Sequence, residues 1–175
     1  MWTAAVAAAL LGLLLGGWYA ASGLPAAQTL CITCATTAYH LWMRLLVGGV
    51  FDRRMHDRAD LRRRWYQPQP WEAPLYAKLG VRRWKSRLPT YDPASFDQKM
   101  RTWTQIAQAK CQAELVYEVC AVLSLLPIAA SIWLGAGAVF VITSLAAAGY
   151  DLRFAIVQRY DRSRILRLLA RRGVL

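Results

Sequence analysis

Four stretches of this chain are apolar for long enough to decide the solvent it folds in. Residues 2–22, WTAAVAAALLGLLLGGWYAAS, contain no charged residue, and 28–51, 113–134 and 136–157 are further apolar runs with few ionisable interruptions. A helix needs about 20 residues to cross the hydrocarbon core of a bilayer. Lipid offers no partner for a bare backbone N–H or C=O, so a spanning segment must satisfy its own backbone groups. The expected fold is all-α: an integral membrane helical bundle with about four transmembrane helices and additional interfacial amphipathic helices. Trp2 and Trp18 sit near the ends of the first run, where interface anchors are favoured. A secretory signal is the competing reading of that run, and the lack of a basic stretch before it counts against this.

The charge is segregated from these runs. The chain has 22 Lys and Arg against 10 Asp and Glu, a formal net charge of +12. Fourteen of the 22 basic residues lie in 52–112 and six in 158–175, leaving only Arg44 and Arg153 elsewhere. Basic residues that flank apolar spans report the cytoplasmic side and an attraction to anionic headgroups. No zinc-finger spacing or RNA-recognition motif accompanies them, so nucleic acid is not expected as a partner. The uncharged LGAG between the last two runs is short enough to force a hairpin. With a first hairpin at SGLPAAQ, both termini and the central segment are expected in the cytoplasm. The expected divisions are an N-terminal hairpin (1–51), a basic interfacial segment (52–112), a C-terminal hairpin (113–157) and a basic amphipathic tail (158–175).

Within the central segment, FDRRMHDRADLRRRW reads as a basic interfacial helix and QPQPW as a breaker. YAKLGVRRWKSRLP reads as a short compact unit. YDPASFDQKMRTWTQIAQAK reads as an amphipathic helix with Asp92 as N-cap and Pro93 at its first position, and with Phe96, Met100, Trp103 and Ala107 on one stripe. Cys31 and Cys34 form a CxxC without nearby His or Cys partners, so small apolar packing residues are expected there and no metal site. His56 is expected at the surface.

Two acidic residues, Glu114 and Glu118, lie one helical turn apart where the third run begins. Antiparallel pairing about residues 135–136 sets Glu118 beside Arg153 as a structural ion pair. The same pairing sets Glu114 beside Gln158, Arg159 and Tyr160. Ionisable groups at such depth are costly, so they are usually paired or functional.

Three blocks in order then point to a family. These are GVRRWKSRLP (80–89), QAELVYEVCAVLSLLP leading into the third run, and VQRYDRSRILRLLARRG (157–173). Together, over roughly residues 71–173, the chain resembles the glycosyl-4,4'-diaponeurosporenoate acyltransferases, small bacterial membrane enzymes that attach a fatty acyl chain to a carotenoid glycoside. The resemblance departs from the family pattern Glu-x-x-Arg-Ala-Glu-x-x-His at Ala109, Gln112 and Tyr117. It also departs from the tail's Asn-Arg-Pro, which is Asp161-Arg162-Ser163 here.

The resemblance implies esterification of a sugar hydroxyl, with an acyl-CoA or acyl carrier protein thioester as co-substrate and no bound cofactor. Such a reaction needs a base, oxyanion donors and a groove that joins donor to membrane-held acceptor. Glu114 is the expected base, and Arg159 with Trp84 and Lys85 the expected oxyanion or thioester contacts. Arg82 and Arg83 are expected to bind donor phosphates or the acidic face of a carrier protein. Gln158, Tyr160 and Tyr117 are expected to line the substrate cavity. The expected setting is the bacterial cell membrane, with membrane lipid and a glycosylated lipid acceptor as partners. Acylation of another glycolipid, or a non-enzymatic lipid-binding scaffold, remains open at this point.

Overall fold

The computed structural model describes residues 1–89 and 96–173. Among these the chain is predominantly helical and contains no strand. Its main helices are α1 (Trp2–Ser22), α2 (Pro25–Met55), α3 (Glu72–Lys78), α4 (Val81–Trp84), α5 (Trp103–Leu123), α6 (Leu126–Leu134) and α7 (Gly137–Arg171). Four helical stretches, 2–22, 25–55, 103–134 and 137–171, are long and apolar enough to span a membrane. The protein is therefore a membrane protein of four spanning helices, as the apolar runs require. The chain forms two compact units.

The first unit comprises Met1–Val50 and Glu118–Leu152. Gly23 ends α1 with φ 66° and donates its N–H to the Tyr19 carbonyl, and Pro25 opens α2 two residues later. Gly12 and Gly16 present a small-residue face to α2, where the Cys31 thiol donates to the Gly12 carbonyl at 3.4 Å. A side chain at Gly12 would meet Cys34 and Ala35. Close approach of helices through small residues is the usual way to gain packing in lipid. Both cysteines are free thiols. Trp2 and Trp42 meet edge to face at 5.2 Å.

The span 103–134 is interrupted at Ser124–Leu125, and the cause is Pro127. Proline has no N–H to give to the carbonyl four residues earlier, and its ring crowds that carbonyl. The orphaned acceptor, Leu123 O, receives the Tyr39 hydroxyl at 2.9 Å instead. The same unit holds an ion pair between Arg44 and Asp151. Arg44 donates from Nε and Nη2 to the two oxygens of Asp151, both at 2.8 Å, and the Ser124 hydroxyl donates to the same carboxylate at 3.4 Å. Asp151 is wholly buried. Of the expected partners, Glu118 is half-buried in this unit, whereas Arg153 is exposed in the other.

The second unit comprises Phe51–Tyr117 and Arg153–Leu175. The expected basic helix over 51–65 does not form as a separate element. α2 ends at Met55, and His56 and Asp57 are both left-handed, with φ 49° and 55°. For non-glycine residues this conformation costs of order 1–3 kcal/mol each. Polar contacts to α5 hold it. The Asp57 N–H donates to Gln112 Oε1 at 2.8 Å, its carboxylate pairs with Arg101 at 2.7 Å, and Gln108 donates to the Ala59 carbonyl at 3.0 Å.

The chain then packs a 3₁₀ turn at Arg64–Tyr66 onto a core of Leu61, Tyr66, Ile106, Ala107, Cys111, Ile165, Leu166 and Leu169. α5 begins later than expected. Residues 98–100 form a turn, and Met100 is exposed instead of joining the stripe. The helix start is a reciprocal cap, in which Thr102 Oγ1 accepts from the Gln105 N–H and Gln105 Oε1 accepts from the Thr102 N–H. Asp92 and Pro93 lie outside the described residues. The expected separate tail is the continuation of α7. Arg162, Ile165, Leu166 and Leu169 are buried along one stripe, while Arg164, Arg167 and Leu168 are exposed. That 3–4 spacing explains the alternation of leucine and arginine at the chain's end.

Candidate functional site

Two arginines one helical turn apart on α7, Arg159 and Arg162, reach the same carboxylate on α5. Glu114 Oε1 accepts from Arg159 Nη1 at 3.0 Å, and Oε2 accepts from Arg162 Nη1. Arg159 also donates through Nε to Glu72 Oε1 on α3 at 2.9 Å. Glu72, Glu114 and Arg162 are 2%, 0% and 1% exposed, so this cluster is effectively out of solvent. Only Arg159, with its side chain 14% exposed, reaches the exterior. A planar guanidinium pinned by two carboxylates has its position and orientation fixed before any ligand arrives.

Aromatic rings complete the surroundings. The Arg159 guanidinium lies 5.4 Å from the Trp65 ring and 5.9 Å from the Trp71 ring. Arg162 lies 5.2 Å from Tyr66. Tyr76, one turn beyond Glu72 on α3, donates its hydroxyl to Glu72 Oε2 at 3.3 Å and meets Tyr160 edge to face at 5.4 Å. Burial holds the Tyr76 phenol well above its ordinary range, and the Glu72 carboxylate pushes the same way. Burial also raises Tyr66, against the pull of Arg162. α3 itself is two-faced: Glu72 and Tyr76 point inward, and Trp71, Leu75 and Leu79 form an exposed apolar row.

A second polar group adjoins Tyr160. Asp161 accepts from Lys85 Nζ at 2.6 Å and from Lys110 Nζ at 3.4 Å, and Lys110 also donates to Gln158 Oε1 at 3.2 Å. Lys85 lies 5.1 Å from the Tyr160 ring.

The residues expected at the site therefore divide. Glu114 and Arg159 meet directly, and Lys85 and Tyr160 join them through Tyr76. Gln158 turns to Lys110 instead of Glu114. Trp84 spends its indole N–H on the Leu79 carbonyl at 3.0 Å, within its own turn. Arg82 and Arg83 are exposed on α4. Tyr117 stacks on Phe154 at 4.9 Å. Glu114 has both oxygens engaged by guanidinium groups and no exposure, so an incoming hydroxyl has no approach to it.

Sequence reasoning missed Glu72, Arg162, Trp65, Trp71, Asp161 and Lys110. Two signals were present. Glu72 and Tyr76 share a face at a spacing of four, and Arg162 follows Arg159 by three.

The departures from the family pattern also have local uses. Gln112 holds the Asp57 turn, and Asp161 gathers two lysines. No curated protein and no solved structure is significantly similar to the chain. The model of the glycosyl-4,4'-diaponeurosporenoate acyltransferase family matches residues 62–171, more than half of the chain and all the residues of the Glu72–Arg159–Glu114–Arg162 cluster. The chain belongs to that family.

Proposed function

We propose that this protein transfers a fatty acyl group to a sugar hydroxyl of a membrane-held carotenoid glycoside, at the face where Arg159 emerges. The observation that carries this reading is the Arg159 guanidinium, held by two buried carboxylates and flanked by Trp65 and Trp71. A thioester of coenzyme A or of an acyl carrier protein is the donor. The hydroxyl oxygen attacks the thioester carbon, the developing oxyanion is stabilised by Arg159, and the C–S bond breaks to release the thiol. Glu72, beside Arg159, takes the hydroxyl proton once the entering substrate displaces its Tyr76 contact, since in the empty protein it is only 2% exposed. It has one guanidinium partner where Glu114 has two, and its second oxygen holds only the long contact to Tyr76. The proton then passes to the departing thiolate. Glu114 anchors Arg159 and Arg162 and touches no substrate.

Several features support a membrane-interface setting. Trp65 and Trp71 are half exposed, and Leu75 and Leu79 extend the apolar row on α3. Tryptophan is favoured at headgroup depth, and the flat apolar faces of its ring suit the C–H face of a sugar. The basic central segment and tail support a cytoplasmic, inner-leaflet orientation in a bacterial cell membrane.

The test follows a labelled acyl group from thioester to glycosylated carotenoid in lipid nanodiscs. Loss of a general base costs ~10²–10⁴-fold in rate, so Glu72→Gln should fall in that range while remaining folded. Arg159→Lys should be severely impaired, because a point charge cannot replace the planar fork. Full activity in Glu72→Gln would assign the base elsewhere. No acylated product from the unaltered protein with either donor would reject the reading.

A further inference from the structure

The second unit contains a cavity of about 650 Å³ that shares only Tyr66 with the surroundings of the cluster just described. It is bounded by Arg54, Met55, His56, Arg58, Ala59, Asp60, Arg63, Tyr66 and Leu115. Three guanidinium groups thus face one carboxylate. Arg44, Arg101, Arg159 and Arg162 are all paired with carboxylates, and Lys85 and Lys110 share one. Among the described residues, Arg54, Arg58 and Arg63 take part in no such pair. A basic side chain on a solvated face needs no partner, but here three are gathered around a concave space backed by a buried tyrosine.

The backbone is specifically bent to make this space. His56 and Asp57 are consecutive left-handed residues without glycine's freedom, and Gln112, Arg101 and Gln108 hold the turn from α5. A strained conformation persists only where its surroundings over-determine it, and such strain gathers at ligand sites. The turn brings Arg58 and Arg63 round to the side of Arg54, in the last turn of α2. Three arginines against the single carboxylate of Asp60 leave the lining with a surplus of positive charge that matches the oxygens of a phosphate group.

We propose that this cavity binds a phosphate-bearing anion, as a site separate in its lining from the Glu72–Arg159–Glu114 cluster. It goes beyond the acyl-transfer reading and does not depend on it. Two sources have the required chemistry, the headgroup of an anionic lipid and a soluble phosphate compound such as coenzyme A.

The experiment uses the full chain in nanodiscs of zwitterionic lipid, titrated with coenzyme A and separately with pyrophosphate, and read by calorimetry. A second arm measures phosphatidylglycerol retained on the detergent-purified protein by native mass spectrometry. R58Q/R63Q should weaken binding of the phosphate compound by about tenfold or more for each guanidinium removed. R171Q/R172Q, which removes two exposed charges at the end of α7, should leave it unchanged. R58K/R63K keeps the charge and should recover part of the affinity, which separates lost recognition from lost folding. Binding of coenzyme A or pyrophosphate, sensitive to the cavity variant, assigns the site to a soluble phosphate. Phosphatidylglycerol adducts alone, lost in the same variant, assign it to a headgroup. Absence of both, or equal losses in R58Q/R63Q and R171Q/R172Q, overturns the proposal. Because binding is read without turnover, this result stands apart from the acyl-transfer assay.

Discussion

The hydroxyl of Tyr39 donates to the carbonyl of Leu123 at 2.9 Å, and that carbonyl is the acceptor Pro127 leaves without a helical donor. An unmade hydrogen bond to a group removed from water costs about 1–3 kcal/mol. Tyr39→Phe should therefore lower stability in detergent by that order. In a Pro127→Ala background residue 127 regains its N–H and can serve Leu123 itself, so the same change should cost much less. Equal losses in the two backgrounds would show that the pairing is incidental. Thermal unfolding followed by circular dichroism reads both.

Arg44 and Asp151 form the second test. Removing one partner of a buried ion pair typically costs ~3–5 kcal/mol because the other is left uncompensated. Asp151→Asn and Arg44→Gln should each destabilise strongly, and the double variant should be more stable than the sum of the two losses predicts. Strict additivity in a double-mutant cycle would mean that the two side chains do not act as a pair.

Glu114→Gln should be costlier to the fold than to any chemistry. It leaves Arg159 and the fully buried Arg162 short of a shared counter-charge. A loss of ~3–5 kcal/mol is expected, partly recovered when Arg162→Met removes the deeper guanidinium. A stable Glu114→Gln with reduced turnover alone would return Glu114 to the role of base.

The spans were legible because lipid imposes a length and a composition, which 2–22 and the runs on either side of LGAG display. The meeting of Glu114 with Arg159 was legible for a related reason, since a two-residue connection leaves little choice of register. Glu72 was not. It follows QPQPW, a stretch whose prolines argue for a linker, and nothing local announces a contact with Arg159, 87 residues on. Arg162 was hidden among six basic residues in the tail, where only burial separates an ion-paired arginine from a solvated one. The left-handed turn at His56–Asp57 was equally opaque. Its cause lies in Gln112 and Arg101 on α5, while the local sequence favours continuing the helix.

Alkaline pH should unfold the protein through its buried phenols. Tyr66 and Tyr76 have their folded pKa raised by burial above the ordinary value of 10.0. The neutral phenol is thus favoured by folding, and the unfolded chain releases these protons first. The stabilisation is complete below pH 10 and declines as pH rises through the folded values. Tyr76→Phe should flatten that decline, measured as midpoint of unfolding against pH. An unchanged alkaline slope would show that Tyr76 ionises without unfolding.

Glu72, Glu114, Arg159 and Arg162 carry two negative and two positive charges, so the core of the candidate site is neutral as a whole. The surplus of basic residues lies elsewhere. Screening acts on exposed charges over ~10 Å at 0.1 M salt and reaches sheltered pairs far less. Ionic strength therefore separates two behaviours of one molecule. Raising it should loosen the hold of the outer arginines on an anionic bilayer while the inner quartet, self-balanced and dry, keeps its geometry.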